Sequence, residues 1–339
     1  MVCALCKERE ANKKNTHYLT DGIIRSCLNQ EGSGEREKGF YFDLSNNSAF
    51  VEFNFQRETS ISKLEESLGR EPTDDEIEKA KQIPFSVDYV FCSECEDIFT
   101  SIESSFIENI LPKLRDTDLT DIANIEIAEY KEIKLFFYLQ VWRTHICEQT
   151  LNLPEHIAEN VRQIILNYST VENVELTKFP LSITYLQTLG GVAEYTTNFV
   201  GFTNHKNPYL IFMNDFVIQF FESNEESRFL DFYGLNTEPE FEDFLNKNEE
   251  VFNVNIFQND ERKQFLNDFI EGEKVKQTVQ YYADSFNVMW KKLFGIVPQR
   301  HLTQEYLDLI TGGDDDITTK YSKDRIIKLT REFIMSKLK

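Results

Sequence analysis

Hydrophobic and polar positions recur along this chain with two different periods, and each change of period marks a change of element. Residues 40–44 and 49–55 alternate at period two, which predicts two strands joined by a turn at Ser45-Asn46-Asn47-Ser48. A short helix follows over 61–68 and stops at Gly69. Pro72, Thr73 and Glu76 start another, with Thr73 and Glu76 spaced as a capping box. Over 98–114, 122–151 and 155–168 the apolar residues recur every three or four positions, predicting three core-facing helices. The pattern then reverts to β-branched and aromatic runs around 181–221. The clearest strands there are 210–213 and 216–221, on either side of Asn214-Asp215, with Gly190-Gly191 and residues 204–207 as turns. Residues 222–274 interleave eight phenylalanines (229, 232, 241, 244, 252, 257, 265, 269) with acid. That pattern predicts amphipathic helices on the core or a surface for a protein partner. Helices are expected at 276–294, 304–309 and 322–338. The pattern as a whole is that of an α+β protein with a helical middle and a mixed strand and helix C-terminal part.

Composition narrows the class. The chain has 339 residues, 41% of them hydrophobic and 28% charged, enough apolar material for a packed core and too much for a disordered chain. No run approaches the ~18–20 apolar residues of a membrane span. The opening Met1-Val2-Cys3-Ala4-Leu5-Cys6-Lys7 is too short and polar for a secretory signal, so a soluble cytoplasmic protein with no membrane partner is expected. Lys+Arg number 36 against 58 Asp+Glu, a formal net charge of −22. Such a chain does not coat nucleic acid through a general positive field. The acid is uneven, however. Residues 222–274 carry fifteen Asp/Glu and five Lys/Arg, whereas the first thirty carry five basic and three acidic residues. A small nucleic-acid site near the N-terminus therefore stays open.

Six cysteines stand at 3, 6, 27, 92, 95 and 147. Four of them form Cys-x-x-Cys pairs, Cys3/Cys6 and Cys92/Cys95. In a reducing compartment such pairs point to a metal rather than to disulfides. Two intervening residues let one tight turn present both sulfurs, and two such turns complete a four-thiolate Zn²⁺ site. The 85 residues between Cys6 and Cys92 exceed ordinary zinc-ribbon spacing and demand a looped-out insertion. Cys27 and Cys147 read as small core residues. His156, His205 and His301 lack Cys or His neighbours and make no metal case.

The order of a knuckle, a segment Thr16-His17-Tyr18-Leu19-Thr20, then Cys92-Ser93-Glu94-Cys95-Glu96 opening a helix, is that of a treble-clef zinc finger. It resembles HNH (ββα-metal) endonucleases, and more closely a bacterial family with Cys-x-x-Cys, a Ser-His-Ile-Ile-Pro-like segment and Leu-Cys-x-x-Cys-Glu. That family's helix ending in Trp-Arg is matched by Trp142-Arg143, so the resemblance covers roughly residues 1–170. It implies a finger domain over 1–115 with an insertion at 30–85, followed by a helical region over 116–175 and a mixed domain over 176–339. It also implies a nuclease using a divalent cation such as Mg²⁺ or Mn²⁺ beside the structural Zn²⁺, and a role in bacterial defence against phage. His17 would be the general base and Glu96 a cation ligand. The middle Asn of the HNH motif is replaced by Val87, with Asp88 next to it and Asp21 as a substitute ligand. Bland roles compete. His17 can bond a backbone carbonyl, Glu96 can offset the positive end of its helix, and Arg143 can form an ion pair with Glu132 or Glu148. The rival reading is a non-catalytic, zinc-stabilised interaction module with a degenerate finger, engaging a protein through 222–274.

Overall fold

The computed structural model describes residues 1–24, 40–55, 60–81, 85–188, 199–238, 240–248, 250–313 and 323–338, and divides into two compact units, Met1–Phe269 and Ile270–Lys339. Cys27, Gly190, Gly191 and the Asp314-Asp315-Asp316 run lie outside the described residues.

In the first unit the chain makes a turn at Cys3–Cys6, closed by an antiparallel bridge between Val2 and Glu10. Strand β1 (Thr16–His17) and helix α1 (Asp21–Ile24) follow. The segment between the two cysteine pairs then supplies β2 (Phe40–Asp43), β3 (Glu52–Phe55), α2 (Ile61–Leu68) and α3 (Asp74–Lys81). Gly69 closes α2 with a φ of +65°, a conformation that glycine reaches without a Cβ penalty. The capping box forms as its spacing predicts, since Glu76 N–H donates to Thr73 Oγ1 (3.3 Å) and Thr73 N–H to Glu76 Oε2 (2.8 Å). Strand β4 (Ser86–Val87) returns to pair with β1, placing Thr16 opposite Val87 and His17 opposite Ser86. The whole insertion is thus the loop of one short hairpin.

Helix α4 (Ser93–Asn109) starts at the second cysteine pair, not at 98 as the periodicity predicts. It ends at Ile110, and α5 (Leu111–Arg115) begins a new helix. Pro112, which has no N–H to donate, sits in the first turn where none is needed. A second expectation fails at 122–129. Strand β5 (Asn124–Ile127) occupies that segment, and α6 (Tyr130–Cys147) begins only afterwards. Ile125 and Ile127 alternate with exposed Asn124 and Glu126, and over four residues that alternation cannot be told from a helical period. Helices α7 (Glu155–Leu166) and α8 (Asn173–Leu176) lead into β6 (Leu181–Leu186), β7 (Phe199–Phe202), β8 (Tyr209–Met213) and β9 (Phe216–Phe220). A 3₁₀ turn at Phe232–Gly234, α9 (Phe241–Phe244), β10 (Phe252–Phe257) and α10 (Asn259–Phe269) complete the unit.

Eight strands form one sheet in the order β3-β2-β7-β8-β9-β6-β10-β5. Pairs β2–β7 and β6–β10 are parallel and the others antiparallel. This sheet corrects two readings of the pattern. Residues 222–274 are not all helix, because β10 runs between β6 and β5. Phe241, Phe252, Phe257, Phe265 and Phe269 from that stretch are buried, and Phe229 is left exposed. Strands from 30–85, from 116–175 and from beyond 176 share the one sheet, so the boundaries drawn at 115 and 175 do not separate independent cores. Helix α6 lies at the centre. Tyr130 and every residue from Ile133 to Thr144 are buried, since α4, α7, α8 and the sheet surround it. Phe106 of α4 stacks on Phe136 at 3.8 Å, and Phe137 meets Phe216 of β9 edge-on at 5.6 Å.

The second unit opens with a π turn (Ile270–Val275) and continues as α11 (Lys276–Phe294), α12 (Arg300–Thr311) and α13 (Lys323–Lys337). All three expected helices form, and α12 is longer than the predicted 304–309. Their core is Phe286, Trp290, Tyr306, Ile310, Ile326 and Phe333, with Phe286 stacked on Tyr306 at 4.4 Å. Among the described residues no helix is long and apolar enough to cross a membrane.

Candidate metal centre

The first knuckle is held by backbone bonds before any side chain is considered. Cys3 N–H donates to the Arg9 carbonyl (2.8 Å) and Lys7 N–H to the Cys3 carbonyl (2.9 Å), folding the loop so that both sulfurs face one side. Ala4 N–H donates to Val90 (3.0 Å), while Asn12 and Lys13 both donate to Phe91 (3.1 Å each), so the loop is laced to the chain entering the second knuckle. There the Asn12 carboxamide oxygen accepts from Ser93 N–H at 3.1 Å, satisfying one of the free donors at the start of α4. Cys92 precedes the first helical residue and Cys95 lies in the first turn.

The result is a cluster of four sulfurs, from Cys3, Cys6, Cys92 and Cys95, all within 4.8 Å of one another. Cys6 and Cys92 Sγ are 4.0 Å apart, and Cys92 N–H donates to Cys3 Sγ at 3.3 Å. Four thiolates at ~2.3 Å around a tetrahedral metal stand about 3.8 Å from one another, so the donor set fits a metal ion such as zinc. Cys3, Cys92 and Cys95 are each about 1% exposed, and Cys6 is partly exposed. Burial pushes the Cys92 and Cys95 thiols up. Burial acts the same way on Cys6, but hydrogen bonds from the Arg9 and Glu8 backbone and from the Cys3 and Cys95 sulfurs outweigh it and bring that thiol to about 6. Four thiols so close cannot all ionise unless a cation offsets them. Behind the first knuckle the Arg162 guanidinium donates to the Leu5 carbonyl and pairs with Glu159, which also holds Lys7 at 2.7 Å. This joins the cluster to α7.

A second group of polar residues lies beside the cluster. Thr16 Oγ1 donates to Glu96 Oε2 at 3.2 Å, tying the strand that carries His17 to the first turn of α4. Thr20 Oγ1 donates to Glu103 Oε1 (2.7 Å), and its N–H donates to Gln140 Oε1 (3.1 Å). The Arg143 guanidinium, 1% exposed on α6, pairs with Glu103, bonds Gln140 at 3.3 Å and lies 5.3 Å over the Phe99 ring. Its partner is therefore neither Glu132 nor Glu148, as the local sequence suggests. Glu103 reaches it because α4 packs directly on α6. Desolvation raises the Glu96 carboxyl and Glu103 raises it further, whereas Arg143, Thr16 and Lys13 act in the opposite sense. Asp88, beside the missing Asn position, accepts from Asn15 N–H at 2.7 Å. Cys147 is partly buried, and its thiol is pushed up to about 12 by desolvation.

The sequence assigns His17 and Glu96 to one site, and in the structure Glu96 bonds Thr16, the residue before His17. Sequence reasoning missed Thr20, Glu103 and Gln140. One signal for Glu103 was available, because positions 96 and 103 are seven apart in a helix and share a face. No comparable signal links Thr20 to Gln140 across 120 residues. Comparison with protein-family models, with curated proteins and with solved structures finds no match in any of the three.

Proposed function

We propose that the chain is an HNH-like, metal-dependent phosphodiesterase acting on DNA or RNA. Its treble-clef finger would be held by a structural Zn²⁺ on Cys3, Cys6, Cys92 and Cys95. The observation that supports the reading is the Thr16–Glu96 bond, which ties the strand carrying His17 to the helix that the cysteines clamp, although side chains alternate along a strand and the His17 ring faces away from the Thr16 side chain. A base and a cation ligand that act on one phosphate need not touch, because the substrate lies between them. His17, partly exposed at the end of β1, would take the proton of the attacking water. Glu96, half-buried beside Glu103, would hold a catalytic Mg²⁺ or Mn²⁺, which when bound stabilises charge developing on phosphate. The mildly basic first thirty residues, rather than the acidic 222–274 stretch, would meet the nucleic acid. A role in defence against phage rests on the family likeness alone.

One observation favours the rival reading. Arg143 already places a fixed positive charge against Glu103 and Glu96, which is where a divalent ion would find its ligands. On that reading the finger is a zinc-stabilised framework without catalysis, and protein partners engage other surfaces, the acidic 222–274 stretch among them. The test is cleavage of plasmid, single-stranded DNA and RNA with Mg²⁺ or Mn²⁺. The nuclease reading expects cutting that His17→Ala reduces by at least ~100-fold, the scale of a lost general base, with zinc content unchanged. No cutting by the unaltered chain rejects it in favour of the framework.

A further inference from the structure

The second unit carries an apolar feature that its own core does not use. At the turn from α11 to α12, Leu293, Ile296 and Val297 are 59%, 65% and 63% exposed, while the neighbouring Pro298 is buried. The turn is built to stay in place. Gly295 adopts φ +74° and donates its N–H to the Lys291 carbonyl at 2.9 Å, ending α11 sharply. Leu302 and Thr303 N–H both donate to the Gln299 carbonyl to start α12. Phe286 stacked on Tyr306 holds the two helices together behind it. Three aliphatic side chains therefore project from a rigid helical tip.

The charge around this tip is unlike that of the rest of the chain. Lys291, Lys292 and Arg300 are exposed beside it, and no Asp or Glu occurs from Ser285 to Gln304 in a chain that has 58 of them. Residues 270–339 hold twelve Lys/Arg and ten Asp/Glu, a net of +2, against −24 for residues 1–269. We propose that this tip docks on an anionic lipid surface. Two physical arguments select that partner. Three side chains on one turn offer far less than the ~800 Å² that a stable protein interface takes from each partner. A collar of cations around projecting aliphatics matches the bilayer interface, where apolar side chains enter the acyl boundary and lysines meet lipid phosphates. Contact is by this tip, and among the described residues no helix is long and apolar enough to cross the bilayer, so the expectation of no membrane partner is departed from at the lipid surface only. Its binding is reversible and weakens with salt, because the cations act within a Debye length of about 8–10 Å.

The experiment is co-sedimentation of the full chain with phosphatidylcholine vesicles and with vesicles containing 30–40% phosphatidylglycerol (roughly the charge density of an anionic leaflet). Binding is expected to the anionic vesicles only, and to fall as salt rises. Lys291→Gln/Lys292→Gln lowers the partition constant about 30-fold, the factor that ~1 kcal/mol per cation gives. Ile296→Ser/Val297→Ser lowers it as well, with melting temperature unchanged in both variants. Three results would each overturn the proposal: no binding to anionic vesicles, equal binding by the variants, or self-association in ultracentrifugation that the Ile296→Ser/Val297→Ser variant abolishes.

Discussion

Single residues in this protein are decided by which groups they meet across the core, and Lys134 shows it most sharply. It lies in mid-α6, 0% exposed, donating to the Phe179 carbonyl at 3.0 Å with the Tyr130 and Tyr138 rings 5.7 and 5.4 Å away. No carboxylate faces it among the described residues, and desolvation holds its ammonium well below the ordinary 10.5. The unfolded chain therefore binds a proton that the folded chain does not, from the depressed folded value up to 10.5. Within that window the lysine costs stability, and the cost fades as pH approaches 10.5. Lys134→Met is expected to raise the melting temperature at pH 7, with the gain shrinking towards pH 10.5. After this change the single Tyr138 hydroxyl proton is shared between the Phe179 and Leu176 carbonyls, both 2.7 Å from Oη, which offsets part of the gain. Melting curves across that pH range check the prediction, and a variant less stable than the parent at pH 7 contradicts it. From sequence, Lys134 is a polar interruption in an apolar helix. Its complete burial depends on α6 being enclosed on every side.

Elements are joined here by a few polar contacts that no local pattern announces. Arg115, at the end of α5, grips Asp215 in the turn between β8 and β9, with Nε–Oδ2 2.7 Å and Nη2–Oδ1 2.9 Å. Asp215 is fully buried. Removing the Asp215 carboxylate takes a buried counter-charge from the Arg115 guanidinium, which keeps its bond to the Ile23 carbonyl (3.5 Å), so Asp215→Ala is expected to cost about 3–5 kcal/mol in denaturant unfolding. Arg115→Met/Asp215→Leu should recover most of that loss, because burying two apolar groups avoids desolvating charge. The turn at Asn214-Asp215 was legible from the two apolar runs flanking it, as were β8, β9, α11 and the Thr73–Glu76 cap. Their signals are periods or spacings within a dozen residues. Strand β5 was not legible, since four residues carry too little pattern and its assignment depends on pairing with β10, where Ile125 faces Val254.

At the scale of the molecule, the cysteine cluster is part of the main core. Leu5, Phe91, Cys92, Cys95 and Phe99 belong to the same buried cluster as α6 and the sheet. Phe91 and Phe99 pack on Trp142 at 5.9 and 6.4 Å. Removing a metal held by the four cysteines would therefore loosen more than the knuckles. Chelation is expected to speed hydrogen exchange in α4, α6 and the hairpin of Met1–Phe269, while amides around Phe286 and Tyr306 in Ile270–Lys339 keep their protection. Elemental analysis should give one zinc per chain, and Cys3→Ser/Cys92→Ser should reproduce the chelated exchange pattern. Uniform loss of protection in both units would contradict the division.

The sequence by itself determined the α+β class, the two cysteine pairs and most helices and strands, because each is written in spacings of two to four residues that backbone geometry reads locally. It also placed Glu96 at the helix start beside the second pair. Only the tertiary structure decided that the two pairs meet across 85 residues, that the insertion between them adds two strands to a sheet finished 200 residues later, and that Arg143 answers Glu103. Those choices depend on packing α6 against α4, α7 and the sheet at once. A core of that kind is selected by contacts between distant segments, which no periodicity along the chain records.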